Sequence, residues 1–370
     1  MQTDNLDTRY SRQLPLPGFG ISGQEKLGKA RVLVIGAGGL GCPVIQYLSA
    51  AGVGTIGIAD GDMVELSNLH RQVLYTSDDI GKLKANVAAQ KINTVDPNIH
   101  VKVFTGYVTN KNALSLIGNY DIIVDCTDNF IARYLINDAC SLLEKPLVFG
   151  AVFQYEGQVA VFNAGTTTAP KISYRDLFPE PPSAFSAPDC NTAGVLGVLP
   201  GLIGLMQATE VIKIIAGLGE VLDGKLLSYD IRTHQSMIME IQSNEEAVVH
   251  IPKDRETYEK LDYAWLCNAD SGNAVDKVSL HKMLEDGTTI AIDVREPGEM
   301  PEADFPHQKI PMSLIDSIPD MHGYKNIVVF CQSGVRSAKA LVILSEKYGS
   351  SKKVFHLAGG LTGYNLQNNE

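Results

Sequence analysis

Cysteine is scarce in this sequence, and what there is stands apart: Cys42, Cys126, Cys140, Cys190, Cys267 and Cys331 form no close pair. That spacing excludes a disulfide framework and a C-x-x-C ligand set, and it suits a reducing compartment, so a cytoplasmic protein is expected. Positive charge is also short. Against 42 acidic residues stand 31 lysines and arginines, a formal net charge of -11. Such a balance argues against non-specific contact with nucleic acid or an anionic membrane. Any polyanion handled here must meet a few placed cations in a local pocket. The N-terminal stretch has no basic leader and no apolar core, so no secretory signal is expected. The longest apolar run, Val195 to Met206, is broken by glycines and Pro200 and reads as too short to cross a bilayer.

What is present is ordinary globular composition, 45% hydrophobic over 370 residues, enough for more than one core. Arg31 to Ile35 (RVLVI) is a continuous β-branched run, the pattern of a buried parallel strand. A helix with Pro43 in its first turn follows, then strands at Thr55 to Ala59, Val101 to Phe104, Asp121 to Asp125 and Pro146 to Phe149, with helices at Lys82 to Asn93 and Phe130 to Leu143. This alternation predicts a Rossmann-like, doubly wound, mostly parallel α/β sheet. Residues 165–189 turn to Pro, Thr, Ser and Ala, an exposed crossover. Beyond it an apolar helix over Val195 to Ala216 and a strand pair over Lys225 to Ile241 are expected. Residues 243–260 are polar and charged and read as a linker. The expected organisation is therefore a first domain over 1–242 and a smaller α/β domain over 261–370, with strands at Thr288 to Val294 and Asn326 to Phe330.

The turn after the first strand reads Gly36-Ala37-Gly38-Gly39-Leu40-Gly41, with Asp60 at the end of the next strand. Glycines permit close backbone approach to a ligand, the helix start offers N–H groups to an anion, and the aspartate can accept from ribose hydroxyls. A G-x-G-x-x-G turn alone fits an NAD-dependent oxidoreductase with an appended regulatory module equally well. The residues that follow separate the two. Asp60-Gly61-Asp62-Met63-Val64-Glu65-Leu66-Ser67-Asn68-Leu69-His70-Arg71-Gln72, then Gly81-Lys82-Leu83-Lys84, then Asp125-Cys126-Thr127-Asp128-Asn129, together with Arg9-Tyr10-Ser11-Arg12-Gln13, resemble the MoeB/ThiF family. That family adenylates ubiquitin-like sulfur carriers. The resemblance, which covers about Arg9 to Ile241, implies that Gly39 and Asp60 hold ATP. It further implies that Ser67, Asn68, Arg71 and Lys84 meet its phosphates or ribose, that Asp128 and Asn129 sit beside Mg²⁺ and the α-phosphate, and that Arg12 reaches in from the other subunit of a homodimer. Cys190, in Ala187-Pro188-Asp189-Cys190-Asn191-Thr192, resembles the crossover cysteine that some members link covalently to the carrier. One departure stands out. Many relatives carry two C-x-x-C pairs around structural zinc, but here Ser173-Tyr174-Arg175-Asp176-Leu177-Phe178-Pro179 occupies the first place and no cysteine pair follows Ile241. A closed tetrahedral site needs four ligands, so no zinc is expected.

In the second domain a buried strand runs into Cys331-Gln332-Ser333-Gly334-Val335-Arg336-Ser337 and a helix. A cysteine in such a loop faces N–H donors and a helix dipole that stabilise a thiolate or persulfide. With Ile292-Asp293-Val294-Arg295-Glu296-Pro297-Gly298-Glu299 before it and Leu357-Ala358-Gly359-Gly360 after it, the segment resembles the rhodanese active-site loop over about Val275 to Tyr364. The loop from Cys331 to Arg336 is the short form of C-x₅-R, which favours sulfur transfer over phosphate chemistry. The expected partners are a ubiquitin-like sulfur carrier ending in Gly-Gly and a sulfur donor, a cysteine desulfurase or thiosulfate. The pathway served, thiazole, molybdopterin or another, stays open. So does a non-catalytic scaffold that binds a ubiquitin-like partner without turning over nucleotide.

Overall fold

The protein is described by a computed structural model over residues 8–165, 171–179, 194–244, 251–261, 263, 273–332, 334–349, 351–357, 360–361 and 364. Its contacts divide it into two compact units, the change falling between Leu261 and Asp262.

The first unit runs α1 (Gly20–Lys29), β1 (Arg31–Ile35), α2 (Gly41–Ala51), β2 (Thr55–Ala59), α3 (Lys84–Val95), β3 (His100–Phe104), α4 (Ala113–Ile117), β4 (Ile122–Asp125), α5 (Phe130–Leu142), β5 (Leu147–Phe153), β6 (Glu156–Phe162), α6 (Tyr174–Leu177), α7 (Val198–Ala216), β7 (Lys225–Asp230), β8 (Gln235–Glu240) and α8 (Arg255–Lys260). Its eight strands form one sheet in the order β3-β2-β1-β4-β5-β6-β7-β8. The first five are parallel and the last three antiparallel. The chain moves from β1 to β2 on one side and later to β4 on the other, so β1 and β4 flank the point where the winding reverses. Ligands of open α/β sheets bind outside the carboxyl ends of the strands at that place. Val32, Val34, Ile56, Ile58, Ile122 and Val124 put their side chains into the core beneath it.

α1 and β6 are among the elements that the sequence reading does not contain. α1 (GISGQEKLGK) carries two internal glycines and little apolar surface, so its helical signal is weak. β6 follows β5 through Gln154 and Tyr155, with Gln154 at φ 51. That hairpin lacks the Asn-Gly chemistry by which such turns are recognised.

The reading of the apolar run is corrected. α7 has 19 residues and is, by length and composition, apolar enough to cross a membrane; Pro200 sits in its first turn, where it does not interrupt the helix. Leu199, Ile203, Ala208 and Val211 are buried in the core of the unit. Gln207 reaches the carbonyl of Asp125 at 2.7 Å, and Glu210 accepts from the amide of Leu222 at 2.8 Å. Its apolar length serves packing against the sheet.

The linker reading is corrected too. Within the residues read as a tether, α8 is capped by Asp254, which accepts from Thr257 N at 2.8 Å. Tyr258 is fully buried and donates to the carbonyl of Leu135 on α5 at 3.0 Å. Asn110 holds the end of α8 through the carbonyls of Glu259 and Leu261. α8 therefore belongs to the first unit.

The second unit comprises β9 (Ala274–Val275), α9 (Lys277–Glu285), β10 (Thr289–Asp293), β11 (Gln308–Lys309), β12 (Asn326–Phe330), α10 (Val335–Tyr348) and β13 (Lys353–Leu357). Its five strands form an all-parallel sheet in the order β11-β10-β12-β13-β9. Fully buried Ile327 to Phe330 make β12 the central, apolar strand.

Replacing the docked tyrosine tests the corrected boundary. Tyr258→Ala should destabilise the first unit by about 3–5 kcal/mol, as for other buried aromatics. Hydrogen exchange of the β1 and β4 amides reads this unit alone; unchanged protection would mean that α8 is only a tether.

Candidate active sites

Each unit presents a turn at the carboxyl end of a central parallel strand. In the first, β1 ends at Gly36, whose φ of 93° and whose hypothetical Cβ, 2.7 Å from the carbonyl oxygen of Cys126, admit no side chain. Gly41 closes the turn just as tightly, its Cβ position lying 2.0 Å from the carbonyl oxygen of Gly36. Asp60, at the end of β2, accepts from Ala37 N at 2.7 Å and from Asp62 N at 2.8 Å. Burial raises the pKa of Asp60, and these two amides work against the rise. One carboxylate thus ties the glycine turn of β1 to the chain leaving β2.

Above this turn lies a cleft of about 690 Å³. Of the residues expected there, Gly36, Gly38, Gly39, Asp60, Arg71, Lys84, Asp128 and Asn129 line it. Lys84 opens α3 with its side chain 7% exposed, and its ammonium pairs with Asp62 at 2.9 Å. Asp62 also accepts from the Tyr107 hydroxyl at 2.7 Å. Burial acts to raise the pKa of Asp62, yet Tyr107 and Lys84 outweigh it and hold the carboxyl below its ordinary value. Arg71 donates to the carbonyl of Ser67 at 3.0 Å and lies 2.8 Å from Nε2 of His70. Asn129 caps α5 by accepting from Ala132 N at 2.9 Å. Asp128, beside it, is exposed at the cleft wall.

Other expected residues are placed elsewhere. Gly41 is buried beneath the turn and shapes it without lining the cleft. Asn68 is buried, its Oδ1 accepting from Glu65 N at 3.1 Å, while exposed Ser67 donates to Glu65 at 3.1 Å. These two side chains build the 3₁₀ turn that carries Arg71. Arg12 is exposed and does not line the cleft of its own chain. Cys190 lies outside the described residues. Tyr107 and Arg133 are among the cleft residues that were not anticipated. Tyr107 follows the carboxyl end of β3, a position in the strand order that could have marked it. Arg133 lies one turn into α5, in an apolar stretch that reads as core packing.

In the second unit Cys331 follows β12 and is 1% exposed. Its sulfur accepts from Gly334 N at 3.1 Å and lies 3.6 Å from the hydroxyl of Ser337. Gly360 presses on the loop, its Cβ position 2.4 Å from the carbonyl oxygen of Cys331. Buried Arg295 pairs with Asp293 at 2.8 Å and reaches Gln332 Oε1 at 3.2 Å, tying the end of β10 to the loop. Arg336 does not stand open to an incoming anion: Glu299 takes it in a bidentate pair at 2.5 and 2.7 Å. Hydrogen bonding to Arg336 pulls the pKa of Glu299 down to about 2.

Comparison with known proteins agrees with this division. The ThiF family model matches residues 10–249, and the Rhodanese-like domain model matches residues 276–367. The chain is 40% identical over 375 residues to a "Probable adenylyltransferase/sulfurtransferase MoeZ" of Mycobacterium tuberculosis, covering 97% of this chain and 93% of that one. It is 51% identical to a "Sulfur carrier protein adenylyltransferase" of Thermus thermophilus over 61% of this chain and 84% of that one. With the "Adenylyltransferase and sulfurtransferase MOCS3" of Caenorhabditis briggsae it shares 38% over 92% and 90% of the two chains. Among solved structures, E. coli MccB with AMPCPP and MccA shares the fold, with a TM-score of 0.56 at 24% identity, over 65% of this chain and 73% of that one.

The Glu299–Arg336 pair is open to a direct test. Glu299→Gln should release the guanidinium and lower the KM for thiosulfate by about two- to fivefold, the range of an exposed ion pair. An unchanged KM in steady-state thiosulfate-to-cyanide assays would show that the pair does not restrain Arg336.

Proposed function

The chain belongs to the ThiF family and carries a rhodanese-like domain, and on that premise we propose that it uses ATP to adenylate the terminal glycine of a ubiquitin-like sulfur carrier and then delivers sulfur from Cys331 to form a thiocarboxylate. The observation that carries this reading is the presence in one chain of a glycine-turn cleft with cations and a carboxylate, and of a cysteine whose sulfur is cradled by a loop amide.

Forming an acyl-adenylate is an in-line displacement. The carrier's carboxylate oxygen bonds to the α-phosphorus and the bridging oxygen leaves with pyrophosphate. The protein's part is positioning and charge neutralisation, with no proton to abstract. Asp60 receives the ribose; Arg71 and Lys84 meet the phosphates, Lys84 leaving Asp62 as a phosphate oxygen replaces it. Asp128, an exposed carboxylate beside the turn, fits Mg²⁺, which when bound neutralises phosphate charge. Cys331, charged as a persulfide by thiosulfate or by a desulfurase, attacks the acyl carbon with its terminal sulfur and AMP departs. A second thiol then attacks the cysteine sulfur of that acyl disulfide, a new disulfide forming as the thiocarboxylate leaves, and an external thiol reductant restores the free cysteines; Cys190 is our candidate for a covalent acyl-disulfide link to the carrier. We further assign the protein to the cytoplasm and to a homodimer in which Arg12, exposed on its own chain, completes the partner's cleft.

Pyrophosphate exchange against purified carriers ending in Gly-Gly tests the reading. Asp128→Ala should abolish carrier-dependent exchange in a folded protein. Cys331→Ala should eliminate thiosulfate-to-cyanide transfer and thiocarboxylate formation but leave exchange nearly unchanged, whereas Cys190→Ala should spare the thiosulfate assay. Loss of exchange in folded Cys331→Ala would refute the division of labour. Mixed dimers of Arg12→Ala with Asp128→Ala chains should recover part of the activity, since one cleft per dimer regains both groups; verified mixed dimers without recovery would return Arg12 to its own chain.

A further inference from the structure

Arg133 is a cation in the cleft that, among the described residues, meets aromatic rings but no hydrogen-bonded acceptor at its Nε. It is 8% exposed, and its Nε is buried without a hydrogen-bond partner. Its guanidinium lies 5.3 Å from the ring centroid of Phe130 and 5.5 Å from that of Phe149. The other cleft cations have partners: Lys84 has Asp62, and Arg71 has the carbonyl of Ser67. Asp125 feels the charge of Arg133, but its own Oδ2 is also buried without a hydrogen bond, so the two do not join. A buried charge without an acceptor is unfavourable unless a ligand supplies one.

Place in the sheet indicates which anion that is. Strand order sets Asp60 and Tyr107 on the β2–β3 side of the glycine turn, whereas Arg133 stands on the helix after β4 and against β5. A nucleotide with its ribose at Asp60 and its phosphates at the turn leaves the β4–β5 side to the second substrate. Val152 on β5 and Val195, bridged to Gln154 at the end of β5, line the cleft there, apolar walls suited to a bare glycine tail whose only charge is its terminal carboxylate. We propose that Arg133 binds the carboxylate of the carrier's last glycine and aims one oxygen at the α-phosphorus, an assignment that rests on the adenylation reading above. The planar guanidinium matches a carboxylate in a two-point contact, and apolar surroundings strengthen it. Arg133 keeps its proton throughout the displacement.

The test uses the full chain, a purified carrier ending in Gly-Gly, and the same carrier with its C-terminus amidated. Arg133→Gln should raise the carrier KM in pyrophosphate exchange by about 10- to 100-fold, the worth of one charge-assisted contact. Arg133→Lys should recover part of that loss. Calorimetric affinity for a non-hydrolysable ATP analogue, measured without carrier, should stay within about twofold of wild type for both variants, which also reports an intact cleft. Wild-type protein should bind the carboxylate carrier more tightly than the amidated one, and Arg133→Gln should lose that preference. A normal carrier KM in either variant, or an equal loss of affinity for the ATP analogue, overturns the assignment, the latter making Arg133 a phosphate contact. Absence of exchange by the wild-type protein with every carrier would instead refute adenylation itself.

Discussion

The first unit is organised around a distance too short for a side chain. Where β1 ends, the backbone of Gly36 lies so close to the carbonyl of Cys126 that a Cβ would sit 2.7 Å from that oxygen. This contact seats the glycine turn on the end of β4, and β4 in turn fixes where Asp128, Asn129 and α5 begin. Asp60 secures the other side through Ala37 N. Substrate-facing residues from three strands therefore share one frame, which matters because displacement at phosphorus depends on positioning far more than on chemical groups.

The second unit solves a similar problem with a different anion. Cys331 and its loop stand between a central parallel strand and a helix, as the glycine turn does, and the Gly334 amide donates to the cysteine sulfur. The surroundings differ. The cleft of the first unit holds Arg71, Lys84 and Arg133, whereas the loop has its arginine paired with Glu299. A persulfide concentrates a single negative charge on one sulfur, and the amides of a loop suffice where a triphosphate needs several cations.

Much of this was legible in the sequence because parallel strands buried on both faces leave unbroken apolar runs, as RVLVI and NIVVF do. The glycine turn, Asp60, Lys84, Asp128 and the Cys331 loop were legible because each follows such a strand directly or is carried by a family motif. What was not legible depends on contacts distant along the chain. Arg133 lies in an apolar stretch that reads as core packing, and its place in the cleft shows only once Phe149, from the next strand, is set against it. Asn68 reads from its motif as a ligand-binding amide, and its bond to Glu65 N adds a part in shaping the turn that the sequence did not show. Tyr258 sits among charges that read as a tether, and only Leu135, more than a hundred residues earlier, reveals it as packing.

That tyrosine also shows how little sequence a domain boundary needs. Because α8 packs on α5 before the chain leaves the first unit, one buried aromatic in a charged stretch is enough to make the last helix of the unit part of its packing, and the charges around it are the solvent-facing side of that helix.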